Sequence, residues 1–160
     1  MDASEPANAR APLSNGDDGR DFGAPAMSAQ AREDVEAAIR KLVADFYGEA
    51  RKDDLLGPVF EAAVEDWDGH LAKIADFWSR ALLRTQRYNG FPFPAHARLQ
   101  GLRPEHFARW LELFAESAAR ILPPAYAEPA IARARLMARS FVAGLFPFAG
   151  EDGDPSRGRG

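Results

Sequence analysis

The stretch DWDGHLAKIADFWSRALLRTQRYNGFPFPAHARL, residues 66–99, decides the fold. Its first twenty residues place apolar side chains three and four positions apart, the spacing of one face of an α-helix, and predict a helix over about 66–85. The acidic residues at its start suit a helix N-terminus. The predicted apolar face consists of Trp67, His70, Leu71, Ile74, Phe77, Trp78 and Ala81. An imidazole therefore lies on the buried side of this helix.

The end of the same stretch is not helical. Asn89 and Gly90 predict a turn, and Pro92 and Pro94 exclude a regular helix until about residue 95. A second imidazole, His96, thus lies on a short proline-bounded segment among phenylalanines. A plain bundle of helices has no need for such a segment.

Helical spacing continues on both sides of this stretch. Three further apolar stripes each predict a helix. The first helix spans about 32–52, the second begins at Pro104 and ends before Pro123, and the third spans about 128–146. No segment of useful length alternates apolar and polar residues. The sequence therefore predicts an all-α domain with four long helices.

The two ends of the chain differ in composition from its middle. Residues 1–30 and 149–160 are rich in Ala, Pro, Ser, Gly and Asp and carry few large apolar side chains, so burial cannot offset the entropy lost on ordering. We expect both to be disordered tails. The domain is expected to span residues 31–148.

Composition excludes several classes of function. The chain has no cysteine, which removes disulfides, iron–sulfur clusters, thiolate zinc sites and thiol catalysis, and fits a reducing, cytoplasmic location. The net charge of −4, with scattered arginines, gives no footprint for nucleic acid. No signal peptide and no membrane-spanning stretch is present, so we expect no membrane partner.

Histidine is the strongest ligand for a transition metal in this composition, at positions 70, 96 and 106. A two-histidine, one-carboxylate site from His70, His96 and either Asp66 or Asp68 has poor surroundings, because the neighbouring side chains are apolar. A flat macrocycle with one axial histidine suits them better, and His96 is the candidate ligand. For each of the three histidines, the competing interpretation is a purely structural role, and for His106 that interpretation is preferred.

Together, three segments resemble the truncated haemoglobins of group III: 46–64, 66–99 and 106–117. The resemblance covers most of residues 35–146. It rests on Phe-Tyr, Leu-Gly-Pro-hydrophobic-Phe, Trp-x-x-His, Phe-Trp, Tyr-x-Gly-x-Pro, the following His and Phe-x-x-Trp-Leu, and it extends to the absence of the paired-glycine motifs of other truncated globins. It implies a shortened globin fold, a sandwich of two helices over two around haem b.

The resemblance also implies roles for single residues. His96 takes the place of the proximal iron ligand, Tyr47 and Trp110 match distal donors to bound dioxygen, and His70 matches a distal histidine that can gate the pocket. The remaining cofactor contacts expected in this way are Phe60 against the haem face, the distal apolar residue Ile74, Phe93 beside the porphyrin, and Lys73, which can reach a propionate.

The implied function is binding of dioxygen or other diatomic ligands, with redox chemistry on oxygen, peroxide or nitric oxide and an unidentified reductase as partner. Nitric oxide dioxygenase-like or peroxidase-like activity is compatible with it, and neither is assigned. Two alternatives stay open: a bis-histidyl electron-transfer protein in which His70 is the sixth ligand, and a cofactor-free helical interaction module.

Overall fold

A computed structural model describes residues 27–90, 99 and 101–147 of the chain. These residues form helices and connecting segments, with no strand among them. The helices are α1 (Ala29–Lys52), α2 (Gly57–Ala63), α3 (Trp67–Leu83), α4 (Pro104–Ile121) and α5 (Pro124–Leu145). The all-α prediction is confirmed. The expected tails and the segment that carries His96 and Phe93 lie outside the described residues.

Helix α1 follows the prediction closely. Ser28 caps its N-terminus by accepting a hydrogen bond from the Ala31 backbone N–H, so the helix begins three residues before the predicted start. Its apolar stripe is buried, with Ile39 and Leu42 fully removed from solvent. The helix ends at Lys52, as predicted.

The short helix α2 was not predicted, because seven residues are too few to show a helical period. Its first residue, Gly57, lies so close to the end of α1 that a Cβ atom there would come within 2.6 Å of the Arg51 carbonyl oxygen. A glycine is therefore required at this corner. The corner also depends on Asp53, whose side chain accepts hydrogen bonds from the backbone N–H groups of Leu55 and Leu56, both at 3.0 Å.

Helix α3 begins where the acidic residues predicted it. The Asp66 side chain accepts a hydrogen bond from the Gly69 backbone N–H at 3.1 Å and caps the helix. A Cβ atom at position 69 would collide with that carboxylate. The cap and the glycine together set the first turn of α3, immediately before His70.

The last helix corrects the prediction. We expected it to begin near residue 128, but α5 begins at Pro124, which occupies the first helical position, where its missing N–H costs no hydrogen bond. Pro129 lies inside the helix. The predicted start is therefore four residues late. Helix α4 begins at Pro104, as predicted.

Four of the helices form two layers. Helices α1 and α3 pack together, α4 and α5 pack together, and the layers meet where α1 contacts α4 and α3 contacts α5. The short helix α2 rests on α1. This is the expected sandwich of two helices over two.

The buried apolar residues form two clusters. The large cluster contains sixteen buried residues from α1, α3, α4, α5 and the segments between them, including Phe46, Trp78 and Phe114. The small cluster has three buried members, Phe107, Ala138 and Phe141, packed against Leu102, Met137, Val142, Leu145 and Phe146. It joins the start of α4 to the end of α5.

Polar contacts tie the two layers together at their edges. Asp53, at the end of α1, accepts a hydrogen bond from Arg109 Nε on α4 at 2.7 Å. Asp45 on α1 accepts hydrogen bonds from Ser117 and Arg120 on α4. Because these contacts join α1 to two separate positions along α4, they constrain how α1 lies across α4.

None of the helices in the described part of the chain combines the length and hydropathy needed to cross a membrane.

Candidate functional site

A cavity of about 280 Å³ lies between the large and the small core clusters, and members of both line it. Ordinary packing defects hold a water molecule at most, and a dry cavity of about 150 Å³ already admits benzene. The cavity is therefore large enough to be a binding site.

Among the described residues, the wall of the cavity has no carboxylate, ammonium or guanidinium side chain. The lining side chains that carry a nitrogen or oxygen atom are all aromatic: Tyr47, His70, Trp78, Tyr88, His106 and Trp110. The other lining residues are aliphatic or phenyl side chains and one methionine. A hydrated metal ion needs oxygen ligands, whereas a flat apolar molecule needs this kind of surface.

Tyr47 comes from the last turns of α1 and is 7% exposed. Its ring packs edge-on against Phe46, Phe60 and His70, with centroid separations of 4.9, 5.3 and 5.1 Å. Burial raises the pKa of Tyr47 well above its usual range. The side chain therefore stays a neutral phenol, a hydrogen-bond donor at any physiological pH.

Trp110 reaches the cavity from α4, one turn after the small cluster. Its ring stacks on Phe114 at 5.3 Å and meets Phe46 edge-on at 5.8 Å, so its orientation is fixed by packing. Within the described part of the chain, neither the Tyr47 hydroxyl nor the Trp110 indole N–H hydrogen-bonds to another group. Both donors are on residues that line the cavity.

His70 lies in the first turn of α3 and lines the cavity with a buried Nε2 atom. Its ring packs edge-on against Tyr47 and against Trp67, whose centroid is 5.7 Å away. Trp67 is covered in turn by Arg51, whose guanidinium carbon lies 4.1 Å from the ring centroid. The predicted placement of His70 among the apolar residues is therefore observed.

For His106, the prediction from the sequence was incomplete. This residue is 6% exposed, and its Nδ1 accepts a hydrogen bond from the Arg103 backbone N–H at 3.0 Å, which caps α4. The predicted structural role is thus observed. The same side chain also lines the cavity, which the sequence did not indicate. A histidine two residues after a helix-starting proline is a signal for a cap, not for a cavity wall.

Of the other predicted contacts, Phe60 and Ile74 line the cavity, whereas Lys73 is exposed and is not part of the wall. His96 and Phe93 lie outside the described residues. The structure thus brings together Tyr47, Phe60, His70, Ile74 and Trp110 at one cavity.

Comparison with known proteins identifies the family. The chain is 36% identical to the group 3 truncated haemoglobin of Campylobacter jejuni over 119 residues, which cover 72% of this chain and 94% of that protein. The chain belongs to the group III truncated haemoglobins. The crystal structure of a group III truncated haemoglobin from the same organism matches with a TM-score of 0.67, at 36% identity and the same coverage. No protein-family profile matches the chain.

Membership of this family means a globin-type haem protein, and the residues present fit a haem. A haem needs a largely apolar cavity, with a few polar groups to contact its ligand. The described wall fits this: it has no carboxylate, ammonium or guanidinium group, and its nitrogen and oxygen atoms belong to six aromatic side chains, among them Tyr47, His70 and Trp110. The expected resemblance is confirmed at the level of fold and family.

Proposed function

We propose that this truncated haemoglobin binds haem b through His96 and uses it to bind dioxygen or other diatomic ligands, with redox chemistry on oxygen, peroxide or nitric oxide. One observation carries the proposal. Tyr47 and Trp110, from two different helices, line the same cavity with a neutral O–H and an N–H that have no acceptor among the described residues.

Bound haem supplies an iron that takes up a diatomic ligand and changes its oxidation state. The role of the protein side chains is to hold that ligand. A phenol O–H and an indole N–H in an apolar cavity each contribute about 0.5 to 1.5 kcal/mol to a hydrogen bond, and more to a partly charged acceptor. Ligand release slows accordingly. Slow release is a disadvantage for oxygen delivery, so we favour redox chemistry or scavenging over transport.

The proposed cofactor contacts follow the same division. Phe60 and Ile74 line the cavity and are assigned to the face of the porphyrin on the side of Tyr47. Phe93 is assigned to the porphyrin edge near the ligand His96. The exposed Lys73, one residue before the lining residue Ile74, is assigned to a propionate, because its ammonium can stay in water while it pairs with a carboxylate.

The setting proposed for the protein is a reducing cytoplasm, with a reductase that returns ferric iron to the ferrous state. The absence of cysteine supports the compartment. The proposed globin domain spans residues 31–148. Nitric oxide dioxygenase-like and peroxidase-like activities are the two candidate reactions. The first requires such a reductase, and the second requires a peroxide.

The visible spectrum of the purified chain with haem supplied tests the proposal. A Soret band that stays with the protein on gel filtration is expected, and its absence would leave the cofactor-free interaction module as the better description. A low-spin ferrous spectrum without added ligand would instead favour the bis-histidyl alternative, with His70 as sixth ligand.

Two matched variants test the ligand assignment. His96→Ala is expected to lose haem on gel filtration, because the iron loses its protein ligand. His70→Ala removes the imidazole that is assigned to the distal side of the haem, opposite His96, and is expected to retain haem. Normal haem content in the His96 variant would refute the assignment of His96.

A further inference from the structure

The outer face of α5 carries an exposed leucine among arginines. Leu136 is 52% exposed and lies on the side of the helix opposite the buried stripe that contains Ala134 and Ala138. Arg133 and Arg139 lie one turn before and one turn after it, and Arg135 lies on the same flank as Arg139. All three arginines are exposed. We call Arg133, Arg135, Leu136 and Arg139 the α5 outer face.

The charge of this face is not balanced locally. Residues 129–147 contain no aspartate or glutamate, although the whole chain has a net charge of −4. Among the described residues, Arg133, Arg135 and Arg139 make no ion pair.

Six of the other nine arginines in the described chain are ion-paired, whereas Arg32, Arg80 and Arg84 are not paired with a described carboxylate. Arg40, Arg51, Arg87, Arg103, Arg109 and Arg120 each lie within ion-pair distance of a carboxylate. The α5 outer face is therefore a local positive patch on an acidic protein, with an apolar side chain at its centre.

The position of this face relative to the cavity is also informative. Met137, Ala138 and Phe141, on the inner side of the same helix, line the cavity. An α-helix with its side chains is about 10 to 12 Å thick. A protein bound to the outer face of α5 would thus lie about one helix thickness from the cavity.

We propose that the α5 outer face is the docking surface for a small acidic protein that donates one electron at a time, such as a flavin protein. The inference rests on the proposed haem function. One electron passes from the reduced flavin to ferric iron, which becomes ferrous, and no bond is made or broken in this chain. Arginines around an apolar centre suit a transient interface, because they pair with carboxylates and steer the encounter while the leucine is covered.

The test measures binding of the haem-loaded full chain to a purified flavodoxin, a small acidic flavin protein, by titration calorimetry at low ionic strength. Binding is expected, together with a fall in affinity as salt is added. Arg135→Glu with Arg139→Glu is expected to weaken binding by about tenfold or more. Leu136→Ser is expected to weaken it by a smaller factor. Stopped-flow reduction of the ferric protein by reduced flavodoxin is expected to slow in the same order.

The matched control makes the same change in net charge elsewhere. Arg40 and Lys41 are exposed on α1, which does not pack on α5, and Arg40→Glu with Lys41→Glu is expected to leave binding near the wild-type value. Equal weakening in both double variants would show that only net charge matters and would overturn the proposal. A haem-loaded wild-type chain that does not bind flavodoxin would overturn it as well. A chain that takes up no haem refutes the proposed function instead.

The competing occupant that the experiment has to exclude is this chain's own acidic segment, since Asp17, Asp18 and Asp21 precede in sequence a contact between Met27 and Tyr126 at the start of α5. The triple variant Asp17→Asn, Asp18→Asn, Asp21→Asn distinguishes the two. Unchanged flavodoxin affinity is expected. A tenfold gain in affinity would assign the face to that segment and overturn the proposal.

Discussion

The two core clusters on either side of the cavity differ in what holds them together. Among the described residues, the large cluster has sixteen buried members, several at most 2% exposed, and ten of them do not line the cavity. The small cluster has three, and each of its larger members turns one side to the cavity. Close-packed neighbours are the source of stability in a protein core. The large cluster is thus a core in its own right, whereas the small one depends on whatever fills the cavity.

The strongest test of this difference is truncation of one phenylalanine in each cluster. Phe114 is 2% exposed and stacks on both Trp78 and Trp110, so Phe114→Ala is expected to lower the free energy of unfolding of the haem-free protein by about 3 to 5 kcal/mol. Phe141→Ala, in the small cluster, is expected to lower it by about 1 to 3 kcal/mol. Urea unfolding followed by circular dichroism gives both values. Equal losses would mean that the clusters are not different in kind.

Removal of haem tests the dependence directly. A ligand that binds only the folded state stabilises what it contacts, by about 2.7 kcal/mol at a hundredfold excess over its dissociation constant. Backbone amides around Phe107 and Phe141 are therefore expected to exchange with deuterium about a hundredfold faster in the haem-free protein. Amides around Ile39 and Leu42 are expected to change by less than tenfold. Uniform acceleration across both clusters would argue against the comparison.

The stability of the layer of α1 and α3, which contributes to the large cluster, is expected to depend on pH through Glu36. Glu36 on α1 is 8% exposed and accepts hydrogen bonds from Ser79 on α3 at 2.7 Å and from Arg87 at 2.9 Å. Burial by itself raises the pKa of Glu36, but the hydrogen bonds from Ser79 and Arg87 outweigh it and hold the pKa below its usual value. The folded state thus binds this proton less tightly than the unfolded state does.

The sign of the pH dependence follows from that shift. The contribution of Glu36 is fully present above the unfolded pKa of about 4.5 and is lost as the pH falls through the lower folded value. Glu36→Gln is expected to cost about 1 to 3 kcal/mol at pH 7 and to flatten the loss of stability below pH 4.5. Glu33→Gln, an exposed residue on the same helix, is the control. An unchanged acid limb in the Glu36 variant would contradict the assignment.

The smallest expected effect concerns the donors on the large-cluster side of the cavity. Tyr47→Phe and Trp110→Phe each remove one donor, worth about 0.5 to 1.5 kcal/mol, so dioxygen dissociation is expected to be about 2 to 13 times faster. Tyr126→Phe, whose hydroxyl contacts Met27 instead, is expected to leave the rate unchanged. Stopped-flow displacement of dioxygen by carbon monoxide measures the rates. Wild-type rates in both cavity variants would remove the donor roles.

Much of the architecture was predictable because it depends on local patterns. Helical spacing placed α1 and α3 within three residues of their observed ends, and Pro104 marked the start of α4. The short α2 and the early start of α5 were missed, since one is too short to show a period and the other begins with a proline pair that suggested a break. The predicted apolar faces also placed Tyr47, His70 and Trp110 inward.

What the order of residues specified about this protein is therefore its helices, its apolar faces and its membership of the group III truncated haemoglobins, because period, caps and motifs act over a few residues. Folding in three dimensions was needed to bring Tyr47, His70 and Trp110, from three different helices, to a common cavity, and to place the wall residue His106 there as well. The same is true of the division into a self-packed and a cavity-dependent cluster. Each depends on how helices distant in sequence cross, and residue spacing carries no information about that crossing.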